Sequence, residues 1–138
     1  MNPLPDRQHS LEFFPPRTED GVAKLRTARA QLAQLKPAFC SVTFGAGGST
    51  REGTLATVLE MMGEGLPSAP HLSCIGGTRE SLRDVLHQYR EHGIRHLVAL
   101  RGDLPSGMAD AGEFRYASDL VSFIRQETGD WFHVDVAC

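Results

Sequence analysis

A chain of 138 residues is long enough for one domain that buries roughly two thirds of its unfolded surface. Its hydrophobic fraction of 41% and charged fraction of 22% are those of an ordinary globular domain, and a net charge of -3 with a pI near 6.0 leaves no electrostatic footprint for nucleic acid or an anionic membrane. The apolar runs are too short to span a bilayer, and Met1 to Ser10 lacks the apolar segment of a secretory signal.

Met1 to His9 is polar and proline-containing and reads as a flexible leader before a domain at 10–138. Leu11-Glu12-Phe13-Phe14, closed by Pro15-Pro16, reads as a short strand. Thr18 is placed to cap the next helix, with Glu19 and Asp20 in its first turn, and Val22, Leu25, Ala28, Leu32 and Leu35 follow helical spacing up to Pro37. Phe39 to Phe44 is a second strand, followed by Gly45-Ala-Gly-Gly-Ser-Thr50. Ser49 and Glu52 have capping-box spacing for a helix whose Leu55, Val58, Leu59 and Met62 share a face, punctuated by Gly63 and Gly65.

His71 to Ile75 is a third strand, and Gly76-Gly77-Thr78 leads into a third helix. There Leu82, Val85, Leu86 and Tyr89 repeat the i, i+3, i+4, i+7 pattern, with Gly93 where a helix-ending glycine belongs. Leu97 to Leu100 is an apolar run of the kind buried on both faces of a parallel sheet, stopped by Arg101, Gly102, Asp103 and Pro105. A Gly- and Ala-rich loop, Ser106 to Arg115, precedes a fourth helix with Ala117, Leu120, Val121 and Ile124 on one face, and Trp131 to Cys138 is a fifth strand. Strands and helices alternate throughout, which predicts an α/β fold with a parallel sheet, either doubly wound or part of an eight-stranded barrel. No strand opens into G-x-G-x-x-G, which lowers the dinucleotide-fold option.

In such folds ligands sit at the carboxyl ends of the strands, so Thr43, Arg101 and Asp103 are candidates to face one pocket. Glu12, between apolar neighbours, is either on a solvated strand face or buried, where desolvation would raise its pKa and let it donate a proton. Arg101 and Asp103 could instead pair with each other at the rim, and His71, opening an apolar strand, reads as a core histidine. The glycines at 45, 47 and 48 precede a helix N-terminus that could hold an anion, but no Lys completes a P-loop. His92 and His96 stand four apart with Gly93 between them, so one helical face cannot present both, and no metal site is expected. Cys40, Cys74 and Cys138 are widely spaced and fit reduced core thiols of a cytoplasmic protein.

Five stretches carry a resemblance. Ser10-Leu-Glu-Phe-Phe-Pro-Pro-Arg17, Phe39-Cys-Ser-Val-Thr-Phe-Gly-Ala46, Ala69-Pro-His-Leu-Ser-Cys74, Gly93-Ile-Arg-His-Leu-Val-Ala-Leu-Arg-Gly-Asp-Leu-Pro105 and Tyr116-Ala-Ser-Asp-Leu120 together resemble bacterial methylenetetrahydrofolate reductase, in the family's order. The resemblance implies a (β/α)8 barrel of the TIM type with FAD at the strand carboxyl ends, this chain supplying about the first five strands and four helices. It implies reduction of the flavin by NADH or NADPH and of 5,10-methylenetetrahydrofolate to 5-methyltetrahydrofolate. By the match, Glu12 is the general acid that helps open the folate ring, in keeping with the buried reading of that residue, and Asp103 is the aspartate beside flavin and pterin. Thr43, Phe44, Ala46, His71, Arg101, Gly102, Asp103 and Ala117 match positions lining the FAD site, with Tyr116 adjacent, and Arg101 suits the pyrophosphate.

Phe44 stands where relatives often carry Tyr, and the chain stops at Cys138 where the family continues with a Tyr-Pro-Glu stretch and three further strands. The expectation is therefore a barrel truncated at its carboxyl end, partnered by a second copy or by a complementary carboxyl-terminal half. Two rival readings are a non-catalytic remnant that binds flavin weakly or only a partner chain, and an unrelated α/β phosphate-binding enzyme.

Overall fold

The computed structural model describes residues 8–44, 51–74, 77–101 and 114–137. The expectations for the first seven residues, the 45–50 loop, Gly102, Asp103 and Cys138 lie outside them. The chain falls into two compact units, Met1–Ser68 and Ala69–Cys138.

The first unit holds β1 (Ser10–Phe13), α1 (Glu19–Leu32), a 3-10 turn (Ala33–Leu35), β2 (Phe39–Val42) and α2 (Arg51–Gly63). β1 and β2 run parallel with Glu12 opposite Ser41 and Phe13 opposite Val42. α1 starts where the sequence places it: the Thr18 hydroxyl accepts from the Gly21 amide at 2.9 Å, satisfying one of the orphan N–H groups of the first turn.

Its packing departs from the expected apolar stripe. Val22, Leu25 and Leu32 are only half-buried, Ala28 and Leu35 are exposed, and the one buried residue of α1 is Arg29. Arg29 is accommodated because its guanidinium reaches two carboxylates of the neighbouring segment, Glu60 at 3.0 Å and Glu64 at 2.7 Å, while Arg26 Nε donates to Glu60 at 2.6 Å. The burial of α2 is also rotated from expectation: Thr54, Leu55, Thr57, Val58 and Met61 are buried, whereas Leu59 and Met62 are half-exposed. The two threonines turn inward because their hydroxyls find carbonyl partners, Thr57 on Gly53 at 2.8 Å and Thr54 on Thr43 at 2.9 Å.

The Arg26 hydrogen bond, followed by that from Arg29, holds the Glu60 carboxyl below the usual carboxylate range. A carboxylate depressed in the folded state stabilises the fold fully above its unfolded pKa and loses that contribution as pH falls through the folded value. Glu60→Gln combined with Glu64→Gln leaves the Arg29 charge without its partners. The expected loss is about 2 kcal/mol, read as a lower urea midpoint at pH 7 and shrinking as the wild-type chain is acidified. An unchanged midpoint would mean that water already solvates Arg29.

The second unit holds β3 (Ser68–Ser73), α3 (Arg79–Glu91), β4 (His96–Leu100), α4 (Ala117–Thr128) and β5 (His133–Val136). β3 begins three residues before its sequence expectation and runs through Pro70. β4 pairs in parallel with β3 and β5, placing His71 and Asp135 on either side of Val98.

α3 obeys its sequence closely. Thr78 and Ser81 form a reciprocal capping box, and Leu82, Val85, Leu86 and Tyr89 are all buried. Gly93, at φ +78°, ends the helix in a Schellman motif: its amide donates to the Arg90 carbonyl and that of Ile94 to Tyr89, both at 3.0 Å. The buried Ile94 then turns the chain into β4. In α4 the buried residues are Leu120, Phe123, Ile124 and Thr128, with Ala117 and Val121 half-buried. Arg83 grips Glu127 with two 2.9 Å hydrogen bonds and ties α3 to α4. Trp131 donates its indole N–H to the Ile94 carbonyl at 3.0 Å and is flanked by the guanidinium groups of Arg90 and Arg95, 4.6 and 3.4 Å from its ring centroid.

No helix among the described residues is long and apolar enough to cross a membrane. Cys40 and Cys74 are free and buried, as expected of core thiols, and burial pushes both thiol pKa values up.

Candidate functional site

The carboxyl ends of the strands are built separately in each unit. In the first, side chains two apart on a strand share a face, and the Glu12–Ser41 register puts Glu12, Ser41 and Thr43 on one face of the β1–β2 pair. Phe13, Cys40 and Val42 are buried on the opposite face, and Ser41 is buried on the face it shares with Glu12. Among the described residues Glu12 is exposed, and so is Phe14. Alternation is the physical reason, because burying Phe13 turns both of its neighbours to the other face of the strand.

Thr43 is held by its backbone. Its amide donates to the Phe13 carbonyl at 2.9 Å, and its own carbonyl accepts from Thr54. Its hydroxyl oxygen is buried and has no hydrogen-bond partner among the described residues. An orphaned hydroxyl is costly inside a protein, and one at a strand's carboxyl end is a group that a polar ligand would satisfy. Phe44 follows, half-buried, while Ala46 lies outside the described residues.

In the second unit, β3, β4 and the start of α4 converge through backbone carbonyls. Ser73 Oγ donates to the Arg101 carbonyl at 3.0 Å, and the Cys74 amide donates to Leu100 at 3.1 Å. The Cys74 thiol lies 3.7 Å from the Arg101 carbonyl and 3.9 Å from that of Tyr116. Arg101, Tyr116 and Ala117 are thereby gathered around Cys74, with the Arg101 residue and the Tyr116 ring exposed and Ala117 half-buried at the first turn of α4. Asp119 accepts from the amides of Arg115 and Tyr116 and fixes that turn. His71 is buried two residues before the end of β3, in keeping with a core histidine. The proposed pairing of Arg101 with Asp103 and the placement of Gly102 lie outside the described residues.

The place of Cys74 beside Arg101 and Tyr116 is what sequence reasoning did not find. The residue was legible only as a core thiol, and its position between Arg101 and Tyr116 depends on pairings 27 and 42 residues away in the chain. The histidines also group differently from the sequence reading. His92 caps the end of α3, whereas His96 meets His133 and Asp135 from the adjacent strand.

The family model for methylenetetrahydrofolate reductase matches residues 5–138. Among curated relatives, a protein of Pectobacterium carotovorum named 5,10-methylenetetrahydrofolate reductase is 48% identical over 133 residues, which is 93% of this chain and 42% of the relative. The protein of the same name from Escherichia coli K12 is 44% identical over 129 residues, again 93% of this chain and 42% of the relative. An Arabidopsis thaliana protein, methylenetetrahydrofolate reductase (NADH) 1, is 41% identical over 133 residues, covering 93% of this chain and 22% of the relative. The chain thus spans about two fifths of the length of the bacterial relatives.

Proposed function

Since the chain belongs to the methylenetetrahydrofolate reductase family, whose (β/α)-barrel type its parallel βα repeats follow, we propose that it supplies the amino-terminal part of a cytoplasmic flavoenzyme reducing 5,10-methylenetetrahydrofolate to 5-methyltetrahydrofolate. The observation that carries this reading is the family match across residues 5–138. The electron source is NADH or NADPH, and the site is completed by a second copy or a carboxyl-terminal half. FAD would supply hydride transfer between nicotinamide and folate.

The residues present fit such a cofactor. In the first unit the orphaned Thr43 hydroxyl offers a hydrogen bond and Phe44 aromatic surface; in the second, Tyr116 offers aromatic surface and the exposed Arg101 side chain a cation for a pyrophosphate. In the second unit Ala117 is a small residue at the first turn of α4, and His71 is buried in β3.

The product carries its methyl group on N5, so the bond from the bridging carbon to N10 must break and N10 must gain a proton. Glu12, exposed at the carboxyl end of β1, is the acid that delivers it. An Asp103 carboxylate stabilises the cationic carbon–N5 unit left when that bond opens.

The test is to pass the purified 138-residue chain with excess FAD through gel filtration and record the visible spectrum. The expected result is retained flavin that NADH bleaches and methylenetetrahydrofolate restores, with the chain alone or mixed with the carboxyl-terminal part of a relative. Flavin that elutes free in both cases would overturn the reading.

A further inference from the structure

His96 opens β4 and His133 opens β5, and the two are direct partners across the parallel ladder. Asp135 sits two residues beyond His133, so its side chain returns to the same face. One carboxylate therefore meets both imidazoles: Asp135 Oδ2 lies 2.6 Å from His96 Nε2, and Oδ1 lies 3.4 Å from His133 Nε2. The two rings meet edge to face with centroids 4.8 Å apart. The candidate ligand atoms of all three residues lie within 4.8 Å of one another.

We propose that His96, His133 and Asp135 form a three-ligand site for a borderline transition-metal ion such as Zn2+, at the amino ends of β4 and β5. The donor set selects the ion. Two imidazole nitrogens and one carboxylate oxygen suit zinc and its neighbours, whereas magnesium and calcium call for oxygen ligands throughout.

The spacing is within reach of such an ion. A tetrahedral ion with bonds of about 2.0–2.1 Å holds its ligand atoms about 3.3 Å apart. The His133–Asp135 separation is close to that value, the hydrogen-bonded His96–Asp135 pair has to open by less than about one ångström, and the widest pair of the set, within 4.8 Å, has to close by up to about 1.5 Å. Both rings stand on strands locked in register, so little order has to be gained on binding. His133 is largely exposed and Asp135 about half so, which gives the ion an entry path and leaves a fourth position for water.

The site is separate from the proposed flavin contacts at the other end of β4: Arg101 lies five residues beyond His96, about 16 Å along an extended strand. A bound ion would cross-link β4 to β5 through three side chains and stabilise that pairing in proportion to metal concentration.

The experiment titrates the full chain, freed of metal by chelation, with Co2+ followed by its visible absorption, and then displaces it with Zn2+. The expected result is one Co2+ per chain with the intense bands of a four- or five-coordinate ion, no thiolate charge-transfer band, and a melting temperature that rises with added metal. His133→Asn and Asp135→Asn should each weaken binding at least tenfold while the far-ultraviolet circular dichroism is unchanged. Because His133 lies on the surface, its replacement removes a ligand without emptying a core. Absence of saturable one-to-one binding would overturn the proposal and leave a His–Asp hydrogen bond only. Equal affinity in both variants would overturn it as well, and so would a thiolate band, which would assign the ion to cysteines.

Discussion

Glu12→Gln should slow the oxidation of bound, reduced flavin by 5,10-methylenetetrahydrofolate by about 10²–10⁴-fold, the usual contribution of a positioned general acid. Glutamine keeps the shape of the side chain and most of its hydrogen-bonding capacity but has no proton of suitable acidity to give N10. The reduction of the same flavin by NADH needs no such proton and should proceed at the wild-type rate. Glu12 is exposed at its position in β1, so the substitution should shift stability by no more than about 0.5 kcal/mol. Stopped-flow absorbance of the flavin, in an enzyme that carries this chain, separates the two half-reactions. Equal slowing of both would reassign Glu12 to cofactor binding, and an unchanged rate with folate would remove it from the chemistry.

Leu86→Ala should cost the second unit about 2–5 kcal/mol, because it empties a fully buried site in the face of α3 that carries Leu82, Val85 and Tyr89. Leu35→Ser, at a leucine that is 55% exposed in the turn after α1, should change stability by no more than about 0.5 kcal/mol. Urea unfolding followed by circular dichroism compares the two. A cost at Leu35 approaching that at Leu86 would show that the stripe on α1 is buried after all.

That contrast also shows where a sequence speaks clearly. α3 was legible because its cap, its apolar period and its terminating glycine all lie within sixteen residues and agree. α1 had the same kind of period, yet its buried residue is Arg29, whose carboxylate partners lie 31 and 35 residues onward. Periodicity assigns a charge to the outside; only the partner's position can bring it in. The sequence places the start of β3 at His71, whereas the strand begins at Ser68; the pairing with β4 begins at His71, so Pro70 precedes that ladder within the extended segment.

The site was partly legible for related reasons. Strand ends could be placed from the turn residues that follow them, and Thr43 and Arg101 emerge there. The grouping of Cys74 with Arg101 and Tyr116, and of His96 with His133 and Asp135, depends on strand register and helix placement across tens of residues. The four-residue histidine spacing along the chain, His92 to His96, straddles a helix end.

The indole between Arg90 and Arg95 has a practical consequence. Trp131 is the only tryptophan of the chain, and every contact named for it lies in the second unit. Emission excited at 295 nm therefore reports on the second unit through those contacts. Backbone ellipticity, by contrast, sums over α1 and α2 as well as α3 and α4. Overlaying the two signals along one denaturant gradient would tell whether the halves melt as a single cooperative block or as two, without a label or a cut in the chain.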